Sequence, residues 1–556
     1  MARAPDEGYR VRRRAIELSN RSADCKDCTD LSLKISTRSR MTSSSGRFLP
    51  RSLLPMVVGV GALCTSAGVR AQGNGVPGRE STRAGVTALV GATVIDVVSG
   101  ERRPDQVVVV SGGRIREVVP QKGWRAPRGA TIVVVSGRFI IPGLWDMHVE
   151  QALPLWDRAP VDSNAAFFHP LFLAHGVTGV RDVAGSMSVV RGWRDAIERG
   201  ERIGPRIVFT GPKIGMGPVV PGAPFPLLTA RDVEATVLAL KTGGASAAYL
   251  LQLNAPLLPA LAASLARHQL PLEGNVPLNT TVRAQITMGQ RTIDHMDGLV
   301  AAAATDEERV RRTLQLVDTP TWWARWGWKL GLMDRPEYPS ALALKRFSEE
   351  RAESLFVQLA KRHVYQVPTL RLLGVLNRSG DSAVRMPPAP LELRPPNHPA
   401  NGWPAEPYPA THPLSKLQER LQWMVGAMHR AGVPILAGSD APNLYAAPGL
   451  ALHDELALLV RAGLSPLEAL RSATWRPAEW MGATDSLGTV SAGRVADLLV
   501  VSGDPTVDIA NARRIEMVMA RGRLYDAATL RRWNTSAAVM ASAIEGYWMA
   551  RQRSRQ

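Results

Sequence analysis

Cysteine is nearly absent from this chain. The three present in 556 residues, Cys25, Cys28 and Cys64, all lie near the amino terminus. From Gln72 onward no disulfide can staple the fold and no thiolate can act as nucleophile or soft metal ligand. The Cys25-x-x-Cys28 spacing looks like half of a zinc site, but it has no second Cys/His pair and sits in a basic, unpatterned stretch, which favours chance. Long apolar runs are also lacking: Leu53–Val69 is broken by Pro55 and several glycines and is short for a membrane span. The body has neither a phosphate-cradling glycine loop nor a serine nucleophile elbow, so nucleotide- and serine-based chemistries have no anchor. Basic blocks are missing as well. Of the net charge of +18, +7 belongs to residues 1–71, which hold 13 Lys/Arg against six Asp/Glu, and the rest is scattered arginine. That pattern is a solvated basic surface and predicts no nucleic-acid partner.

What is present is the composition of a folded globular protein, 45% hydrophobic and 21% charged. Residues 41–71 read as a secretory signal peptide: Arg47 and Arg51 precede the apolar run, and Val69-Arg70-Ala71 is a small-x-small cleavage site. Residues 1–40 are then an upstream extension. The expectation is an exported protein, periplasmic or extracellular, with no stable membrane span after cleavage. A Gly/Ser/Arg-rich linker occupies residues 72–86. Residues 87–141 alternate short Val/Ile runs with turn signals such as Ser111-Gly112-Gly113, and the same texture returns over residues 484–526. These two pieces are expected to complete one small β-sandwich domain.

Between them, Gly176–Arg181, Arg206–Thr210, Ala247–Leu253, Leu270–Asn275, Thr292–His295, Val364–Thr369 and Pro434–Gly438 read as short buried strands separated by helical stretches. About eight such units in this length predict an α/β fold, a (β/α)₈ TIM barrel over residues 142–483. Residues 306–412 stand out through Trp322, Trp323, Trp326 and Trp328 and a Pro-rich run from Pro387 to Pro413, and are expected to extend the loops over one barrel face. The tryptophans are expected to cover an apolar patch more than to form a substrate lid. Residues 527–556 are expected to form a C-terminal helix on the outside.

The strongest local signal is Ile141-Pro142-Gly143-Leu144-Trp145-Asp146-Met147-His148-Val149-Glu150. Residues two apart on a strand share a face, so a pair at a strand end can aim at one cation. This segment resembles the end of the first barrel strand in the amidohydrolase superfamily, imidazolonepropionase-like and prolidase-like branch. The resemblance continues through Ala174–Asp182, Thr292–Gly298, Pro368-Thr369-Leu370, Ala437–Pro442, Leu452–Leu456 and Leu487–Leu498, and so spans roughly Ala88 to Arg523. It implies two strand-one histidines, a strand-four lysine that is often carboxylated, histidines on strands five and six, and an aspartate on strand eight.

Residue by residue, His148 matches the first histidine and Glu150 replaces the second. Tyr249 stands where the lysine is common and Asn275 where the strand-five histidine is expected, while His295 and Asp440 match the strand-six and strand-eight ligands. His453 matches a position near the site that the family often fills with histidine; His175 and His363 read as structural or surface residues. Without the lysine no carbamate can bridge two cations. The expectation is therefore one divalent ion, zinc first, on His148, Glu150, His295 and Asp440, with Asn275, Tyr249 and His453 facing substrate. By resemblance the activity is hydrolysis of a carbon–nitrogen bond by metal-activated water, with Asp440 as general base, on a small amide, cyclic amide or dipeptide. The altered ligands keep a second class open, a non-catalytic binding barrel, and a third, a lactone or phosphotriester hydrolase. A homo-oligomer is compatible with this reading.

Overall fold

Valine and isoleucine favour the pleated, half-buried surface of a sheet, and glycine pairs between them favour tight reversals. The amino-terminal segment follows this rule. In the computed structural model, which describes residues 85–152, 161–215, 229–277, 279–318, 339–373, 413–442 and 446–536, it forms β1 (Thr87–Ile95), β2 (Arg102–Ser111), β3 (Arg114–Pro120), β4 (Thr131–Val134) and β5 (Phe139–Pro142). The proposed signal peptide, all three cysteines, the four tryptophans and nearly all of the Pro-rich run lie outside the described residues.

β6 (Leu144–Val149), β7 (Val177–Asp182) and β8 (Arg206–Phe209) form one parallel sheet. β9 (Ala248–Leu250), β10 (Leu272–Gly274), β11 (Gln290–Asp294) and β12 (Tyr365–Val367) form another. Parallel bridges Ile214↔Leu250, Gln366↔Ile435 and Val149↔Ala441 join the two arcs through the extended residues 434–441. Eight staves thus close into a ring. Each of the seven strands expected from the sequence falls on one of these staves. A helix follows every stave, from Val161–Ala174 after β6 to Leu450–Arg461 after the eighth, which is the alternation that a parallel barrel requires. Several helices start on side-chain caps: Thr229 and Asp232 form a reciprocal capping box, and Ser348 and Ser465 accept the backbone N–H groups of Arg351 and Glu468.

The chain then returns to the first sheet with β13 (Leu498–Val501), β14 (Ile515–Ala520) and β15 (Arg523–Asp526). The strand order β15-β14-β13-β5-β1-β2-β3, with β4 on β1, mixes both ends of the chain. The sequence predicts a β-sandwich here; among the described residues the pairings give one continuous sheet built from strands of both ends of the chain, with no second layer. Leu89, Val94, Val108, Ile115, Ile140, Leu498, Val500 and Met519 form its buried cluster. The described residues all belong to one unit, Gly75–Gln556. The described parts of the interval 306–412 contain helices Glu307–Asp318, Pro339–Lys345 and Glu349–Lys361 and the strand β12. Residues 527–536 are helical, and the rest of the expected C-terminal helix lies outside the described residues.

Candidate metal centre

The candidate residues converge because they sit at the carboxyl ends of the staves. His148 lies near the end of β6, His295 directly follows β11, and Asp440 lies near the end of the eighth stave, one residue before the Val149↔Ala441 bridge. Their backbones interlock there: Asp440 N–H donates to the His148 carbonyl at 2.9 Å, and His295 N–H to the Val367 carbonyl at 2.9 Å. His295, Thr369 and Asp440 have φ of +62°, +47° and +60°, a conformation that costs a side-chain-bearing residue free energy and tends to persist at functional sites. Gly438 permits the close approach: a Cβ there would lie 2.7 Å from the His148 Cβ.

His148, His295 and Asp440 offer ligand atoms that all lie within 4.8 Å of one another. The imidazole rings of the two histidines are 4.7 Å apart, centroid to centroid. His148 is fully buried, and its Nδ1 bonds Asp294 Oδ2 at 2.8 Å. Its Nε2 is buried without a hydrogen-bond partner, 3.4 Å from Asp440 Oδ1 and 3.6 Å from Glu150 Oε1. Burial alone would lower the pKa of His148, but the Asp440, Asp294 and Glu150 carboxylates outweigh it and hold the imidazolium well above its ordinary range. His295 is pushed the other way, to about 4, by burial and by the nearby His148 charge. Its Nδ1 bonds Thr369 Oγ1 at 2.7 Å, leaving a neutral ring with Nε2 as the remaining ligand atom.

Among the described residues the triplet therefore fits a divalent ion. The donor set is two imidazoles and a carboxylate, and it includes an orphaned buried nitrogen that an ion would satisfy. Glu150 is near but differently engaged, since its Oε1 pairs with Lys213 Nζ. Burial raises its pKa, yet Lys213 and His148 outweigh that and hold the carboxyl far below the usual range.

A buried charge network supports the triplet from below. Arg181, with no exposed surface, donates from Nη2 to Asp294 at 2.5 Å, from Nη1 to Glu273 at 2.8 Å and from Nε to the Met147 carbonyl at 2.6 Å. Arg291 closes the other side of Glu273 and lies 4.3 Å from the Trp480 ring centroid. Asp294 is buried, but Arg181 and His148 hold its carboxyl well below the usual carboxylate range. Asp146 accepts from Ser439 N–H at 2.9 Å and Ser439 Oγ–H at 2.5 Å, tying β6 to the loop that carries Asp440.

Tyr249 and Asn275 meet each other. The tyrosine hydroxyl donates to Asn275 Oδ1 at 2.8 Å, with the ring 6.0 Å from that of His148. His453 is buried on helix Leu450–Arg461, where its Nε2 donates to the His175 carbonyl at 2.9 Å, away from the triplet. From the same helix it is Glu455 that reaches the site, accepting the backbone N–H groups of Leu370 and Arg371 next to Thr369. Sequence reasoning missed Lys213, Asp294, Thr369, Arg181 and Glu455. Arg181, Asp294, Thr369 and Glu455 lie inside the motifs that carry the resemblance, where adjacency was the available signal. Lys213, in Gly211-Pro212-Lys213, carried none.

Comparison with known proteins agrees with this geometry. Residues 411–525 match the family model for the Amidohydrolase family. An uncharacterized protein of Mycobacterium bovis is 35% identical over 101 residues, 18% of this chain, and the chain spans only 26% of that relative's length. Among solved structures, bottromycin amidohydrolase superposes with a TM-score of 0.63 at 23% identity, covering 82% of this chain and 90% of that one. A Xaa-Pro dipeptidase with bound methionine in the active site gives 0.55 at 19%, covering 79% and 100%. Residues 411–525 are thus similar to the Amidohydrolase family, and the described fold is the one these solved structures share.

Proposed function

We propose that the protein hydrolyses a carbon–nitrogen bond of a small amide, cyclic amide or dipeptide, using a single divalent ion held by His148, His295 and Asp440. The observation that carries the reading is the fully buried His148 Nε2, without a hydrogen-bond partner, within a triplet of ligand atoms less than 4.8 Å apart. Such an ion, zinc first, supplies a polarised carbonyl and a water made acidic enough to attack near neutral pH. The protein's own groups do the rest. Asp294 fixes the His148 ring through Nδ1, Thr369 fixes the His295 ring, and Asp440 is the carboxylate positioned to take a proton and return it to the leaving nitrogen. The Xaa-Pro dipeptidase among the structural neighbours supports dipeptides as the first substrates to try.

The test is turnover of a panel of Xaa-Pro and other dipeptides, N-acyl amino acids and cyclic amides by metal-reconstituted protein, beside the His148→Ala/Asp440→Ala variant. About one equivalent of metal and turnover, both lost in the variant, are expected. A second reading, a binding barrel without catalysis, is favoured by the mutual closure of Tyr249 and Asn275 where two ligands would otherwise be recruited. Failure of the wild type to hold metal after reconstitution, with retained binding of a panel compound, would establish that reading instead. Export is part of the proposal, and intact mass of the secreted protein starting near Gln72 is its measurement. Among the described residues no helix is long and apolar enough to cross a membrane.

A further inference from the structure

We infer that Lys213 is a resident cation of this site that claims Glu150 and keeps it out of the metal's ligand set, leaving His148, His295 and Asp440 to hold the ion. The inference rests on the proposed metal-dependent function and refines it.

The sequence alone puts Glu150 among the ligands, because it shares a strand face with His148. The tertiary structure gives it another partner. Lys213 Nζ pairs directly with Glu150 Oε1, with the lysine side chain 17% exposed and the glutamate 5%. The lysine is anchored at its root. Ile214, the next residue, donates its N–H to the Tyr249 carbonyl at 2.7 Å and accepts from Leu251 N–H at 2.8 Å, which locks the segment between β8 and β9. Its ammonium lies 5.2 Å from the Tyr249 ring centroid, a stabilising cation–π distance, and that ring is fixed in turn by the Tyr249–Asn275 hydrogen bond.

A carboxylate oxygen in a charge-assisted bond to an ammonium has less electron density to give a second cation. Lysine, a compact point charge, also repels a divalent ion brought against the same oxygen. The geometry agrees. Glu150 Oε1 approaches His148 Nε2 to 3.6 Å, yet the cluster of mutually close ligand atoms comprises His148, His295 and Asp440 and leaves Glu150 out.

Cobalt(II) titrated into the metal-stripped full chain, followed by its visible absorption and by calorimetry, tests this without reference to turnover. Glu150→Gln should bind cobalt within threefold of the wild type with an unchanged absorption band, whereas Asp440→Asn should bind at least 100-fold more weakly. Lys213→Met should release Glu150 to the metal, tightening cobalt binding by more than threefold and shifting the band, and Lys213→Met/Glu150→Gln should lose both changes. Lys213→Arg, which keeps the charge, should behave as the wild type and serves if Glu150→Gln does not fold. A band shift or more than threefold weakening in Glu150→Gln, or wild-type binding in Lys213→Met, would overturn the inference. A wild type that binds no cobalt would instead overturn the metal-dependent function on which it rests.

Discussion

Replacing Arg181 with methionine tests whether the charge network under the metal centre holds the barrel together. The guanidinium has no exposed surface and meets two carboxylates and a main-chain carbonyl, Asp294, Glu273 and Met147. Methionine fills much of the same volume, so the change is mainly electrostatic. Glu273 keeps Arg291 and Asp294 keeps His148, but each loses its shared cation. Removing one partner of a buried pair costs about 3–5 kcal/mol, because the remaining charge stays out of water without compensation. At roughly 2 °C per kcal/mol for a domain of this size, the melting temperature should fall by about 6–10 °C. Calorimetry on metal-stripped protein reads this directly and avoids a contribution from bound ion. Adding Asp294→Asn removes one of the stranded charges while keeping an acceptor for the His148 ring. It should restore about half of the loss, a coupling of the size expected for contacting groups. A melting temperature for Arg181→Met within 2 °C of the wild type, or a further drop on adding Asp294→Asn, would refute the reasoning.

Thr369→Val removes the hydroxyl that orients the His295 ring and should weaken metal binding by about 10–100-fold, measured by competition with a chromogenic chelator, with the melting temperature of the metal-free protein nearly unchanged. Asp182, buried and bonded to the N–H groups of Gln151 and Ala184, is pushed up by burial to about 8. Its raised folded value means that its stabilising contribution is complete below about pH 4 and is lost as pH rises through about 8. The melting-temperature advantage of wild type over Asp182→Asn should therefore shrink between pH 5 and pH 9, and an advantage that grows with pH would contradict the assignment. Thr229→Ala removes a reciprocal cap on helix Ala230–Thr242 and should cost about 1 kcal/mol in urea unfolding, without effect on metal content.

The sequence made the barrel legible because a parallel stave buried on both faces reads as a short Val/Ile-rich run and recurs at a regular interval. All seven predicted runs fall on staves, and the alternation with helices carried the fold class. Two features were less legible. The terminal strands were read as one domain, but whether they form one sheet or two layers depends on pairing such as Leu498 with Pro142, 356 residues apart, which local pattern does not encode. The interval 306–412 looked like an insertion because its tryptophan- and proline-rich parts dominate its composition; within it the run Val364–Thr369 read as a strand, where β12 lies, while its helices were not read.

The site divides the same way. The order His148, His295, Asp440 was readable because each residue sits inside a motif tied to a strand end, and stave order carries those ends to one face of the ring. What each side chain does there was decided by partners far away in sequence. Glu150 reads as a ligand until Lys213, 63 residues on, pairs with it. Tyr249 and Asn275 read as two empty ligand positions until they bond each other. His453 reads as a site residue until the His175 carbonyl, 278 residues away, accepts a hydrogen bond from its Nε2. Sequence by itself determined which residues arrive at the carboxyl ends of the staves, because strand periodicity is local. Only the tertiary structure decided which charges they meet, because electrostatic pairing depends on distance in space and the ring brings together residues that the chain keeps apart.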